Sequence, residues 1–300
     1  MKKTLLTFLS LILLVPQVFG ADISDFKRGD DSDVIKGTDN ISDADTYLEN
    51  YLSDPLRRAL ATYVNGCALT RTSATVITIS VGEVVCSNGA GTIARFRQNT
   101  STVTMTITTS GVGGLDTGSE ASSTWYHIYA DADADATTFT AIASTSASAP
   151  TGVTYYKYLG SVYNDSAGDL RNFYWFGDGN LALVMLDVPV NITTSVSAAS
   201  WSSATSCAIA IPTTSTLAIF GLHSQEATAG SAGIWIRLNG STWAGITEEE
   251  NGIYSESSAG SSAVGGQRTC ATDSSQQIQY INDTGDDVTT LDVEGFWIVR

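Results

Sequence analysis

From Cys67 to Arg300 the chain alternates apolar and polar residues with a period of two, punctuated by Gly, Asn, Asp and Pro clusters. That rhythm marks half-buried β-strands joined by turns. It predicts strands in "ATVITISVGEVVCS" around Gly82, in "TIARFRQN" and in "STVTMTITT". "STWYHIYA" and "TTFTAIAST" flank an acidic stretch, and "VTYYKYLGSVYND" and "DLRNFYWFG" follow. "FGDGN", Phe176 to Asn180, is a strong turn, and a domain boundary is expected there. Beyond it "SCAIAIP" and "TLAIFGLH" read as strands around Pro212, and "SQQIQYIND" and "TLDVEGFWIVR" as strands around "NDTGDD". In "GIWIRLNG", Ile234, Ile236 and Leu238 share one face, with Trp235 and Arg237 on the other. In the last strand, strict alternation sets Leu291, Val293 and Trp297 against Asp292, Glu294 and Phe296. Short strands at this spacing argue for a sandwich or jelly roll.

Before Cys67 the period changes. In Ser42 to Gly66, Tyr47, Leu48, Tyr51, Leu52, Leu56, Leu60 and Tyr63 recur at helical spacing. Ser42 or Asp43 can cap the start, Pro55 restarts the helix, and Gly66 is a natural stop. Such a stripe buries itself on the following domain or against copies of itself. Ala21 to Ile41 is polar and acidic with few apolar anchors, and reads as an arm. Lys2 and Lys3, the apolar run Leu5 to Val15 and a small Gly20 before Ala21 form the pattern of a secretory signal peptide. The run is short for a bilayer span. The expected organisation is a signal peptide (1–20), a polar arm (21–41), a helical segment (42–66), one β domain (67–179) and a second, jelly-roll-like β domain (180–300). The fold class is thus all-β, two β-sandwich or jelly-roll-like modules preceded by a short helical element.

Composition adds a compartment and excludes some partners. The net charge is −16, yet only 15% of the 300 residues are charged. An acidic surface repels nucleic acid and anionic lipid, whose recognition rests on Lys and Arg. The remaining polar character comes from Ser, Thr, Asn and Gly, which suits extracellular β modules. Cys67, Cys86, Cys207 and Cys270 are an even set outside any CxxC motif, and the chain has 2 histidines, so a zinc site is not expected. The cysteines allow three pairings, of which Cys67–Cys86 with Cys207–Cys270 respects the expected domain split; with export, disulfides are expected, and four buried free thiols are the alternative.

Candidate chemistry is sparse. Asp131, Asp133 and Asp135 stand at alternate positions, but an EF-hand counted from Asp131 meets Ala136 and Ile142 where it needs Gly and Glu. On an extended strand the three carboxylates would sit about 7 Å apart, too wide for one ion. They read as the connection of a hairpin or as a solvated sheet edge. His127 reads as a packed or surface residue of a strand, and His223 with Ser224 lacks a supporting triad motif. The sequence contains no GxSxG, Walker loop or HExxH. Glu248 to Glu250 reads as a solvated loop, and Asn191-Ile192-Thr193 matters only in a glycosylating host. Aromatic residues crowd the first β region from Trp125 to Trp175, mostly as core; Trp235, Trp243 and Tyr254 are candidates for stacking on sugars. No metal or cofactor is expected.

The segment Leu115 to Asp165 resembles one that recurs in tailed-phage and prophage fibre proteins. The family pattern is an "LDTG…A…TWYYVY" strand, a variable acidic hairpin, then "P-x-G-Y-x-x-x-R-x-I-G-S". Here Leu115-Asp116-Thr117-Gly118, Thr124-Trp125-Tyr126, Pro150-Thr151-Gly152 and Tyr158-Leu159-Gly160-Ser161 match, with Lys157 near the usual arginine. The final "VEGFWIVR" is similar to the closing strand of fibre-tip domains. The resemblance implies an elongated homotrimer whose tip binds host surfaces, and it carries no catalytic residues. Such fibres generally lack signal peptides, whereas this chain carries the pattern of one. The expected function is therefore an exported, oligomeric structural or adhesive subunit of an extracellular fibre or filament, not an enzyme. Its expected partners are copies of itself, as trimer or filament, and surface glycans, with no nucleic acid and no membrane span once the signal is removed. In a filament, the arm Ala21 to Ile41 could add to a neighbour's sheet. The alternatives are a virion receptor-binding fibre and a secreted polysaccharide hydrolase.

Overall fold

A computed structural model describes residues 63–300 apart from 92, 134–136, 195–199, 227–229, 243–251, 258–261 and 283–287. The expected signal peptide, arm and residues 42–62 of the expected helix lie outside the described residues, as do Asp135, Trp243 and Glu248 to Glu250. Every regular element among the described residues is a strand, so the described chain is all-β. It lies within one unit, Arg57–Arg300.

The strands of the N-terminal half are β1 (Val64–Gly66), β2 (Leu69–Arg71), β3 (Val76–Ile79), β4 (Gly82–Asn88), β5 (Ala94–Asn99), β6 (Val103–Thr106), β7 (Thr124–Asp131), β8 (Thr140–Ser144) and β9 (Tyr155–Asn164). They form a six-stranded sheet in the order β1-β4-β9-β7-β8, with β5 also paired to β4, and a three-stranded sheet β2-β3-β6. The strands of the C-terminal half are β10 (Phe173–Phe176), β11 (Leu181–Thr194), β12 (Thr205–Ser206), β13 (Leu217–Glu226), β14 (Gly230–Leu238), β15 (Gly252–Ser257), β16 (Ser262–Ala271), β17 (Gln277–Asn282) and β18 (Val288–Val299). They form a five-stranded sheet β10-β11-β18-β13-β16 and a four-stranded sheet β12-β17-β14-β15.

Each half has its own apolar core. Ile77, Met105, Tyr126, Ile128 and Leu159 anchor the first; Phe220, Ile234, Ile236, Ile278 and Phe296 anchor the second. Burial of each such side chain contributes about 2 kcal/mol, which fixes the face each strand turns inward. Phe173 and Trp175 of β10 pack against both cores. Trp175 lies so close to Gly160 that a Cβ there would meet its ring at 2.9 Å and Leu69 at 2.8 Å. The glycine of the "YLGS" motif is therefore required by packing.

Three expectations are corrected. The expected helix does not run to Gly66: Val64–Gly66 pairs with Gly82 to Val84 as a strand. "SCAIAIP" is not a strand beyond Ser206. Cys207 to Pro212 is a tight turn that buries Cys207, Ala210, Ile211 and Pro212 and exposes Ile209, and in it the Ala210 and Ile211 N–H groups donate to the Cys207 carbonyl. Its free carbonyls have other partners: Trp125 Nε1 donates to Ala208 O at 2.7 Å and Arg171 to Ile209 O at 2.8 Å. In β18 the alternation slips. The β13–β18 register shifts between Ile219 and Phe220, so that Val293 and Phe296 both face the core while Trp297 turns outward. The extra residue of a bulge reverses every side chain after it.

Candidate functional site

In the acidic stretch, Asp131 and Asp133 bind backbone amides at the end of β7 and at the start of β9. Asp131 closes β7 and is 5% exposed, and its Oδ1 accepts the Asp133 N–H at 2.9 Å. The Asp133 carboxylate accepts the Thr154 and Tyr155 N–H groups at 2.7 and 2.8 Å. These oxygens organise backbone. Among the described residues no His, Cys, Asp and Glu side chains gather as a metal site.

His127 Nδ1 lies 2.7 Å from Ser161 Oγ, a distance that in an open cleft would suggest a nucleophile and its base. Here both residues are buried, and the chain of contacts continues: Tyr158 OH is 2.7 Å from Ser161 Oγ and 2.7 Å from Thr214 Oγ1. Burial pulls the imidazole down to about 4 and pushes the Tyr158 phenol up to about 12, so both are neutral near pH 7. The network joins β7 and β9 to the segment before β13. The nearby junction void, lined by Trp125, Tyr163, Phe173 and Phe296, holds about 10 Å³, room for about one water. His223 and Ser224 turn to opposite faces of β13: His223 is exposed, while the fully buried Ser224 contacts Thr289 Oγ1 at 3.2 Å.

The expected disulfides are not formed. Cys67, Cys86, Cys207 and Cys270 are free and buried. Each thiol is turned to a backbone carbonyl: Cys67 to Asn65, Cys86 to Ala130, Cys207 to Thr205 and Cys270 to Ala271. Burial pushes Cys86 and Cys207 up to about 12 and Cys67 and Cys270 to about 11, which keeps them protonated and unreactive.

Of the candidate sugar-stacking residues, Trp243 lies outside the described residues. Trp235 is 3% exposed, fitted against Gly233 and Gly252 with Tyr254 at 6.1 Å between ring centroids, so its ring offers no open face. Tyr254 is half-buried. Asn191 is exposed and donates to Asp292 at 2.8 Å.

A surface that alternation alone did not reveal lies on the outer face of the five-stranded sheet. Ala182, Val184 and Leu186 of β11 point inward, so Leu181, Leu183 and Met185 point out. In register they stand beside Tyr174 and Phe176 on one side and Gly295, Trp297 and Val299 on the other. Ile219 extends the row past Gly295. Tyr174, Phe176, Leu181 and Val299 are 57, 55, 54 and 70% exposed. The sequence signal was present: "LALVML" is apolar at both parities, the mark of a strand with both faces covered.

No protein-family model matches the chain. No curated protein matches it either.

Proposed function

We propose that this protein is an exported structural or adhesive subunit that assembles with copies of itself into an extracellular fibre or filament, in the manner of the phage fibres its Leu115 to Asp165 segment resembles. In this reading the two cores belong to two β-sandwich or jelly-roll-like modules, and residues 1–20 direct export. The observation that carries it is the open apolar sheet face on an otherwise acidic, Ser/Thr-rich body. Contiguous exposed apolar surface of this kind marks an interaction site. Recognition of a host surface or glycan rests on the resemblance. The titratable groups Asp131, Asp133 and His127 hold backbone and junction together, a role suited to a structural subunit. Light scattering and negative-stain imaging of the exported chain test the proposal. A defined oligomer or a polymer is expected; a monomer at all concentrations would overturn it.

A further inference from the structure

We infer that the outer face of the five-stranded sheet, centred on Phe176, Leu183 and Trp297, is the contact between two copies of this chain; the inference rests on the self-assembling reading above and gives it a place.

Charge selects the occupant. At net charge −16 two copies repel wherever their carboxylates face each other. The rows Tyr174–Met185–Gly295 and Phe176–Leu183–Trp297 themselves contain no carboxylate or basic group; the carboxylates of this face stand at their border, Asp187 bonded to Tyr174 and Glu294 lying over Gly221 and bonded by Gln267, so the penalty for a second copy is smallest over these rows. A cationic partner would instead be drawn to the acidic surface elsewhere. The anatomy also fits. Phe176 and Trp297 flank Leu183 as large apolar contacts, while Asp187, which accepts from Tyr174 OH at 2.9 Å, and the Asn191–Asp292 pair form a polar border. The exposed parts of Tyr174, Phe176, Leu181 and Val299 amount to on the order of 400 Å², about half of what one partner contributes to a standard interface, before the half-buried side chains are added. The centre is flat: Gly295 has no side chain, and Met185 lies across it, its sulfur 2.7 Å from where a Cβ would stand. One sheet face can therefore lie flat on another.

The test uses the full exported chain. A photo-crosslinking phenylalanine analogue replaces Phe176, chains of two isotopic compositions are mixed, and the crosslinked peptides are read by mass spectrometry. Phe176→Glu and Trp297→Glu are weighed by light scattering in parallel, with circular dichroism confirming that they fold. Expected are crosslinks between light and heavy copies, and a fall in mass towards a smaller assembly in both variants. Crosslinks confined to the chain's own residues before Tyr63, or to a foreign protein, would overturn the inference. So would folded variants that keep the wild-type mass, which leave the assembling reading standing. A monomeric wild type would sink both.

Discussion

The guanidinium of Arg300 donates to the carbonyl oxygen of Cys67 at 3.0 Å. The same nitrogen reaches Gly66 O at 3.0 Å, Nε donates to Gly179 O at 2.8 Å, and Nη2 also donates to Gly179. Gly66 and Cys67 both adopt positive φ, 71° and 56°, adjoining the carbonyls that Arg300 binds. One 4%-exposed side chain thus ties β1 to the turn between β10 and β11.

Arg300→Ala leaves those carbonyls without their charged donor and is expected to cost about 3 kcal/mol in chemical denaturation. Arg300→Lys is expected to lose most of that, because an ammonium cannot reproduce the planar fork. A lysine variant as stable as wild type would refute the role given to the guanidinium geometry.

Acid should weaken the junction through His127. Burial holds its folded pKa at about 4, below the ordinary 6.5, so the unfolded chain takes the proton first. Its stabilising contribution is complete above pH 6.5, falls as pH drops towards 4, and is level below that. The gap corresponds to about 3 kcal/mol. His127→Gln should remove this part of the pH dependence, measured as the difference in unfolding free energy between pH 7 and pH 4. An unchanged pH profile in the variant would show that the imidazole is not the group responsible.

The acidic turn should respond to mutation and ignore calcium. Asp133→Ala removes the acceptor for the Thr154 and Tyr155 amides and is expected to cost about 1 kcal/mol. Added calcium or a chelator should leave the thermal midpoint of the wild type unchanged. A calcium-dependent rise in that midpoint, lost in Asp133→Ala, would make the turn an ion site.

Much of this architecture was legible in the two-residue rhythm, and the failures have local causes. β7, β9, β13, β14 and β17 stand where alternation puts them. β11 was not anticipated, because "LALVMLDVPV" is apolar at both parities and contains Pro189, which the structure accommodates where the register jumps from Met185 to Val190. The face of Trp297 was misassigned because the bulge in β18 carries no marker beyond Gly295. "SCAIAIP" alternates like a strand, but its carbonyls are claimed by Trp125 and Arg171, side chains far away in sequence. Of the candidate site residues, the hairpin around the acids was readable from spacing, but the burial of Asp131 at the end of β7 and of His127 within it was not, since alternation leaves a strand residue packed or exposed until its sheet neighbours are known. The exposed sheet face was legible only in part: "LALVML" marks β11 as apolar on both faces, but which strands flank it depends on the topology.

The cysteines give a count that can be checked directly. A thiol reagent should modify none rapidly in the native protein and all 4 after unfolding without reductant. Fewer than 4 reactive thiols in denaturant would mean that disulfides form in the mature protein.

The proposal that this chain assembles with copies of itself is tested most directly by calorimetric unfolding of the full exported chain over a range of concentrations. A single transition whose midpoint rises with concentration is expected, because Arg300, Trp125 and Trp175 couple the cores and assembly stabilises the folded state. A midpoint independent of concentration would contradict it, and two separated transitions would show that these side chains do not couple the cores.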